Sequence, residues 1–378
     1  MNRVHLLSSD PAGLPADFWS SRSGELLVVA RWAEGRADEV AWLRSRLPYL
    51  PGHVWFATSG TLARAGESKW IALSKPALLA SAAAVNHHLE ATPADVWGLT
   101  LPLAHVGGLG VIARAHLLGQ IVKPLSPDRW DPLRLRAESW SGTFLSLVPT
   151  QLHDLVAAGV KPPATLRAVI LGGDRLDDGL AQRALAAGWP VRASYGLTEC
   201  ASQVATATAS DPLRPRPLAH VQLHTDDEDR LWLDSPALFT GMARSDGREL
   251  HYEARPAGPW RTGDRARIGD SGLEILGRAD GVVKVRGEKV DLPMLERQLT
   301  HRFGQPVLVL ALPDARDGHA LWWVSETPLS PELVDQVRQE LLAHQRARGQ
   351  WVSVFPRTEL GKVRRTELLE ALRLKVIN

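Results

Sequence analysis

A chain of 378 residues, 44% apolar and 23% charged, has room for one large core and a second, smaller domain, and its composition is that of an ordinary soluble globular protein. A formal net charge of +2 argues against nucleic acid or an anionic membrane surface as partner, and the single cysteine, Cys200, rules out an intramolecular disulfide and fits a reducing, cytoplasmic setting. The opening "MNRVHLLSSDPAGLP" has no apolar run of signal-peptide length, and no stretch approaches the ~20 apolar residues of a membrane helix, so stable membrane insertion is not expected.

Taken in chain order, strand-like and helix-like segments alternate through the first two-thirds. "HVWFAT" (53–58) reads as a buried strand, after which Ser74 caps a helix over "SKPALLASAAAVNHHL" with Pro76 in its first turn. "DVWGLTL" (95–101) reads as a strand and "GGLGVIARAHLLG" (107–119) as a helix. "GTFLSLV" (142–148) and "LRAVILGG" (166–173) are strands, followed by helices over "PTQLHDLVAAG" and "LDDGLAQRALAAG"; "WPVRAS" is another strand. Strand, crossover helix, strand at this spacing predicts an α/β fold whose large N-terminal domain has mostly parallel sheets with flanking helices. Such sheets bind ligands at the carboxyl ends of their strands, where "LGGD" and "SYGLTE" fall. From about residue 220 the elements become shorter and β-rich. "PVLVLALP" and "HALWWVSE" are strands, one long helix is expected over "PELVDQVRQELLAHQRARG", and a last helix over "RRTELLEALRLKV". The expected division is a large domain over 1–280 and a small, mobile α+β domain over 281–378.

Four segments carry candidate chemistry. "TSGT" (58–61) follows a strand and can turn backbone N–H groups and hydroxyls toward a phosphate, although most Ser/Gly/Thr turns are only turns. In "YGLTE" (195–199) Thr198 offers a hydroxyl and Glu199 a hard oxygen ligand for Mg²⁺; the plain alternative is a helix start with Thr at the cap and Glu in the first turn. In "WRTGDRARIGDSGLEILGRADGVVKVRGEKV" (260–290) Asp264 suits two vicinal hydroxyls such as those of a ribose, with Arg278 further on; an acidic turn and a surface arginine are the plain alternative. In "FPRTELGKVRRTEL" (355–368) Lys362 sits in a Gly-Lys turn among Arg357, Arg364 and Arg365, which read as a solvated basic face.

Together, in this order, these segments resemble the adenylate-forming superfamily of acyl-CoA synthetases, peptide-synthetase adenylation domains and luciferases, over about 58–365. Within it, "LPLAHVGGLGVIARAHLLG", "SLVPTQLHDL", "AVILGGDRL" and "YGLTECAS" look like the o-succinylbenzoate–CoA ligases of menaquinone biosynthesis. The resemblance implies an AMP-forming ligase that uses ATP, Mg²⁺ and coenzyme A. It places Tyr195 and Gly196 beside the adenine, with Gly172, Gly173 and Asp174 on its other side. It places Thr198 at the α-phosphate, Glu199 on the metal, and Asp264 and Arg278 at the ribose. Thr58, Ser59, Gly60 and Thr61 form the phosphate loop, and Lys362 is the late catalytic lysine. Asp280 becomes the hinge, with Lys284, Arg286 and Gly287 bordering CoA. The loop departs from the family pattern: "TSGTLARAGESKW" lacks the second Thr-Gly, and Lys69 comes late. Fewer glycines leave fewer positions free for φ > 0, so a weaker grip on ATP is expected. Relative to that superfamily the first subdomain also looks trimmed.

An aryl acid with two carboxylates needs an apolar slot and a cation for the carboxylate that does not react. His105 is at the family's gate position, and a core histidine is its plain alternative. Arg114 is a candidate carboxylate clamp by bidentate geometry, with an exposed arginine as its plain alternative, and Gln151 and Ser202 are weaker candidates. Cys200 reads as a packing residue. The expected partners are small molecules: a carboxylic acid, ATP and CoA. Homo-oligomerisation stays open, as do another aryl or acyl acid, a carrier protein as acceptor, and a nucleotide-binding pseudoenzyme with a degraded loop.

Overall fold

Ser74 caps its helix as its place before an alanine-rich run implies: its hydroxyl accepts the Ala77 N–H at 3.2 Å, and the helix runs Lys75–His88 with Pro76 in the first turn. The computed structural model describes residues 4–6, 14, 17–21, 25–28, 37–58, 68–120, 122–125, 130–135, 140–246, 248–358 and 361–377. The other crossover helices are Val106–Leu117, Pro149–Ala157 and Asp178–Ala186, the last capped by Asp177, which accepts the Leu180 N–H at 2.8 Å.

The chain divides into two compact units. The first comprises 1–223, 233–260 and 269–273, the second 224–232, 261–268 and 274–378. At the heart of the first unit is a seven-stranded sheet ordered Arg216–Pro217, Ser202–Thr206, Val191–Leu197, Ala168–Leu171, Phe144–Leu147, Trp97–Leu99 and Lys123–Pro124. Its strands from Val191–Leu197 to Lys123–Pro124 are parallel, as right-handed crossovers through helices require. All four residues of Phe144–Leu147 and of Ala168–Leu171 are buried, as expected of strands covered on both faces. A second, six-stranded sheet carries His53–Thr58 beside Ser68–Ser74, then Gly241–Ser245 and Leu250–Ala254. Tryptophan, unusually frequent here at 14 residues, is core material: Trp55, Trp70, Trp97 and Trp189 are fully buried in this unit and Trp323 in the other.

In the second unit a three-stranded sheet pairs Val307–Asp314 antiparallel to Gly318–Ser325 and the latter parallel to Gly349–Val352. Helices Leu292–Phe303 and Pro331–Glu340 pack with Val309, Leu321 and Trp323, and the C-terminal helix Arg365–Ile377 buries Leu368 and Leu372 beside Leu310, Leu312, Val324 and Phe355. The long helix expected over 331–349 stops at Glu340. A 3₁₀ turn, Ala343–Gln345, and the strand Gly349–Val352 replace its second half. Arg338 donates to the Ala347 carbonyl at 2.8 Å and draws the chain back, so that strand pairing outweighs the helical propensity of "LLAHQRARG". No helix among the described residues is long and apolar enough to cross a membrane.

Candidate active site

The strand Val191–Leu197 runs through Tyr195 and Gly196, and Thr198–Cys200 then forms a single 3₁₀ turn. The chain doubles back as Ser202–Thr206, antiparallel to the strand it has left. The capped helix that a Thr-x-x pattern could have opened does not form, because the segment after Cys200 is consumed by sheet pairing. The reversal is tight: Ala201 and Ser202 sit at φ 48° and 94°, and a Cβ on Gly196 would lie 1.8 Å from the Ser202 carbonyl oxygen. Only glycine tolerates that approach. Cys200 is buried, and burial pushes its thiol up to about 12, so it stays protonated and packs.

Gly172 and Gly173 follow the neighbouring parallel strand Ala168–Leu171, so both glycines and the Tyr195–Glu199 segment stand at carboxyl ends of adjacent strands. A Cβ on Gly172 would meet the Ser194 hydroxyl at 3.1 Å, and Gly173 has φ 86°. Asp174 is exposed and accepts the Arg175 N–H at 2.7 Å. The result is a glycine-floored edge where a flat ring can approach backbone closely. Glu199 lies beside the six-stranded sheet's Lys69, its Oε1 2.6 Å from the Lys69 ammonium. In backbone register Lys69 faces Thr58 across the hairpin, so the residue that pairs with Glu199 lies opposite the loop's first residue. Ser59, Gly60 and Thr61 lie outside the described residues. Among the described residues no cluster of three or more His, Cys, Asp or Glu could hold a metal ion. Glu199 alone fits an ion that brings most of its oxygen ligands with it, as Mg²⁺ bound to nucleotide phosphates does.

The acyl candidates converge on helix Val106–Leu117. His105 is its N-cap residue and burial holds its imidazole below the ordinary value, hence neutral. Arg114 is 1% exposed. Its Nη1 donates to Ser146 Oγ at 3.1 Å, its guanidinium lies 5.0 Å from the Trp97 ring centre, and its Nε has no hydrogen-bond partner. No carboxylate neutralises it among the described residues, and burial depresses it to about 9, still protonated at neutral pH. A Cβ placed on Gly110, one turn back, would fall 3.4 Å from Arg114 Nη2 and 3.7 Å from Ser202 Cβ. Gly110 therefore lets the guanidinium and Ser202 pack close against the helix backbone. Gln151 has both ends of its amide engaged: Oε1 accepts the Val148 N–H at 3.1 Å and Nε2 donates to the Thr100 carbonyl at 3.1 Å. It caps the helix Pro149–Ala157.

The second unit holds the remaining residues. Asp264 lies on Trp260–Gly269, and Arg278, at the end of Gly272–Arg278, reaches it at 3.5 Å and grips Asp280 with two contacts of 3.2 Å. Gly263 makes this possible, since a Cβ there would meet Arg278 Nη2 at 2.5 Å. Lys284, Arg286 and Gly287 belong to the hairpin Val282–Val285 and Glu288–Asp291, with Arg286 and Gly287 at φ 55° and 85°. Arg286 opens onto a cavity of about 420 Å³ shared with Asp317, His319, Arg338, Arg346 and Arg348. Lys362 sits in a turn tied by Thr358 N–H to the Lys362 carbonyl at 2.8 Å. The basic face expected around it is not simply solvated: Arg357 pairs with Glu326 at 3.0 Å, Arg364 with Glu367 at 2.8 Å, and Arg365 with Glu296. Lys362 makes no ion pair among the described residues. Sequence reasoning missed Ser146, Trp97, Arg338, Arg346, Arg348 and these acidic partners. Their spacing carried no motif, and only folding brings them together.

Residues 54–234 match the family model described as AMP-binding enzyme. The chain is 32% identical over 289 residues to the 2-succinylbenzoate–CoA ligase of Salmonella typhimurium, covering 75% of this chain and 59% of that protein. With the Escherichia coli enzyme of the same name it shares 29% over 293 residues, 76% of this chain and 62% of the relative. It thus spans less than two thirds of the curated relatives' length. Among solved structures, an E. coli MenE variant with bound OSB-AMS superposes with TM-score 0.76 at 23% identity, over 98% of this chain and 87% of that one. Bacillus subtilis MenE in complex with ATP and magnesium ion gives TM-score 0.70 at 21% identity, over 92% and 79%. These two likenesses are of fold.

Proposed function

We propose, from the match of residues 54–234 to the family model described as AMP-binding enzyme and from the fold shared with MenE, that this chain activates a carboxylic acid as its acyl-adenylate and passes the acyl group to coenzyme A. The acid is an aromatic dicarboxylate, o-succinylbenzoate, as the names of the curated relatives suggest. The observation that supports the dicarboxylate reading is Arg114: a buried, protonated guanidinium with an unsatisfied Nε, packed beside Gly110 and Ser202. A buried charge without a partner is costly, so such a site is complementary to an anion.

In the first step a carboxylate oxygen of the acid attacks the α-phosphorus of ATP and the bond to pyrophosphate breaks. Negative charge gathers on the α-phosphoryl oxygens, and catalysis is mainly positioning and charge stabilisation. Lys362 supplies a compact cation for that charge. Thr198 donates to the phosphate, Gly172, Gly173, Tyr195 and Gly196 receive the adenine, and Asp264 accepts from the ribose hydroxyls. Mg²⁺ held through Glu199 would neutralise nucleotide phosphates. In the second step the CoA sulfur attacks the acyl carbonyl and AMP leaves. The cavity at Arg286, Arg338, Arg346 and Arg348 keeps more arginines than acids although Asp317 pairs with Arg286 and Arg348, and it would take a phosphate-bearing end of CoA. The domains proposed are the substrate-holding 1–280 and the lid 281–378.

Arg114→Ala tests the reading. It should raise KM for the dicarboxylate by an amount worth about 1.5–3 kcal/mol, one charge-assisted contact, and leave a monocarboxylate analogue nearly unaffected. The assay is acid-dependent ATP–pyrophosphate exchange with both acids. Equal effects on the two would remove Arg114 from the second carboxylate, and no exchange with any aryl or fatty acid would overturn the activity itself.

A further inference from the structure

Lys362 is half-buried and its side chain is long and flexible, so the contacts that hold its backbone help decide where its ammonium can go. Inside the turn, Lys362 N–H donates to Thr358 Oγ1 at 3.2 Å, Gly361 N–H donates to the Thr358 carbonyl at 2.8 Å, and Arg357 and Val363 form an antiparallel bridge. Gly361 has φ 77°. Outside it, Glu326, the residue after strand Gly318–Ser325, reaches both arms at once. Its Oε1 accepts the Phe355 N–H at 3.0 Å and its Oε2 accepts from Arg357 Nη2 at 3.0 Å. The other arm of the same guanidinium, Nη1, donates to the Gly361 carbonyl at 3.2 Å, one residue before the lysine. Phe355 is buried against Leu310, Val324, Leu368 and Leu372, so the relay starts from rigid core. On the far side, Arg365 grips the carboxylate of Glu296 with both Nη atoms, and Glu296 Oε1 also accepts the Val309 N–H at 2.8 Å.

We propose that Arg357 and Glu326 are positioning residues for Lys362: together they aim its ammonium for the phosphorus step and do nothing for the thioester step. The inference rests on the adenylating role given to Lys362 above. Simple stabilisation is a poor account of the pair. Arg357 and Glu326 are 40% and 39% exposed, and ion pairs at that exposure contribute little to stability. What is specific is the geometry. One planar fork links a sheet-anchored carboxylate to the carbonyl preceding the lysine, which a single point charge could not span.

The test uses full-length Arg357→Ala, Lys362→Ala and the double variant. Arg357→Ala should lower kcat for acid-dependent ATP–pyrophosphate exchange by about 10- to 100-fold, the scale of a 1 Å misplacement, with KM for ATP and acid unchanged. Thioester formation from synthetic acyl-adenylate and CoA should continue at the wild-type rate, Tm should barely move, and the Lys362 amide should exchange hydrogen faster. Glu326→Gln keeps both acceptor contacts through its carbonyl oxygen only in part and should lose less. Added to Lys362→Ala, Arg357→Ala should cost nothing further. Wild-type exchange in Arg357→Ala, or parallel loss of both half-reactions with a lowered Tm, or an extra loss in the double variant, overturns the positioning role. Wild-type adenylation by Lys362→Ala instead removes the lysine's role, and the inference with it; an inactive Lys362→Ala beside a fully active Arg357→Ala sinks the inference alone.

Discussion

Arg114 is a buried base and His220 a half-buried one, neither paired with an acid among the described residues, and burial drives them to opposite charge states. Arg114 starts so high that a value of about 9 leaves it cationic at neutral pH, available to an anion. His220, whose ring nitrogens both lack a partner among the described residues, is pushed down to about 4 by burial and is neutral. Its effect on stability has a definite sign. Between the ordinary value of 6.5 and about 4 the unfolded chain binds a proton that the folded chain refuses. Stability is therefore full above that window and falls as the pH drops through it. The melting temperature of His220→Leu should lose part of the wild type's acid sensitivity between those two values, and parallel Tm–pH curves for the two proteins would refute this. Arg114 differs in starting so high that the same burial leaves it charged, so that on the proposed reading it would answer an anion while the neutral His220 packs.

At the scale of elements, the ends decide more than the middles. Helix Pro149–Ala157 begins where Gln151 folds its amide back over the Val148 N–H and sideways to the Thr100 carbonyl, joining the helix to the strand region beside it. Removing the amide leaves both backbone groups buried and unpaired. Gln151→Ala should therefore cost about 1–3 kcal/mol in denaturant unfolding. An unchanged denaturation midpoint with a raised KM for the acid would show instead that the amide serves substrate. The same lesson holds after Glu199 and after Glu340. Both segments had local grounds for helix, and both were taken over by sheet pairing, whose partners lie far off in sequence.

The proposed two-step reaction sets a problem for the whole molecule, because on that reading Lys362 would serve the phosphorus and then give way to the CoA thiol. The proposed pivot is Asp280, which stands in the 3₁₀ turn Ala279–Gly281 and is held by the Arg278 guanidinium. Proline locks φ near −65° and removes a donor, so Asp280→Pro should freeze one arrangement. Pyrophosphate release should stay near wild type while thioester formation falls by orders of magnitude. Parallel loss of both, or of neither, on folded protein would reduce Asp280 to an ordinary residue of the Ala-Asp-Gly bend.

Local order was legible in the chain by itself. Ser74, the glycines after Leu171, and the alternation of apolar strands with amphipathic helices announce parallel α/β architecture, because caps, turns and periodicity depend on neighbours a few residues away. The motifs around Tyr195, Asp264 and Lys362 were legible for the same reason. What the sequence could not display is pairing at a distance. Lys69 meets Glu199 across 130 positions, Arg365 meets Glu296 across 69, and Arg357 meets Glu326 across 31. Nor could it tell that Arg114 is buried with no acid beside it among the described residues, since helical periodicity assigns a face but not the charge of what covers that face. Burial, and the cost of leaving a charge unanswered within it, exists only once the strands have assembled.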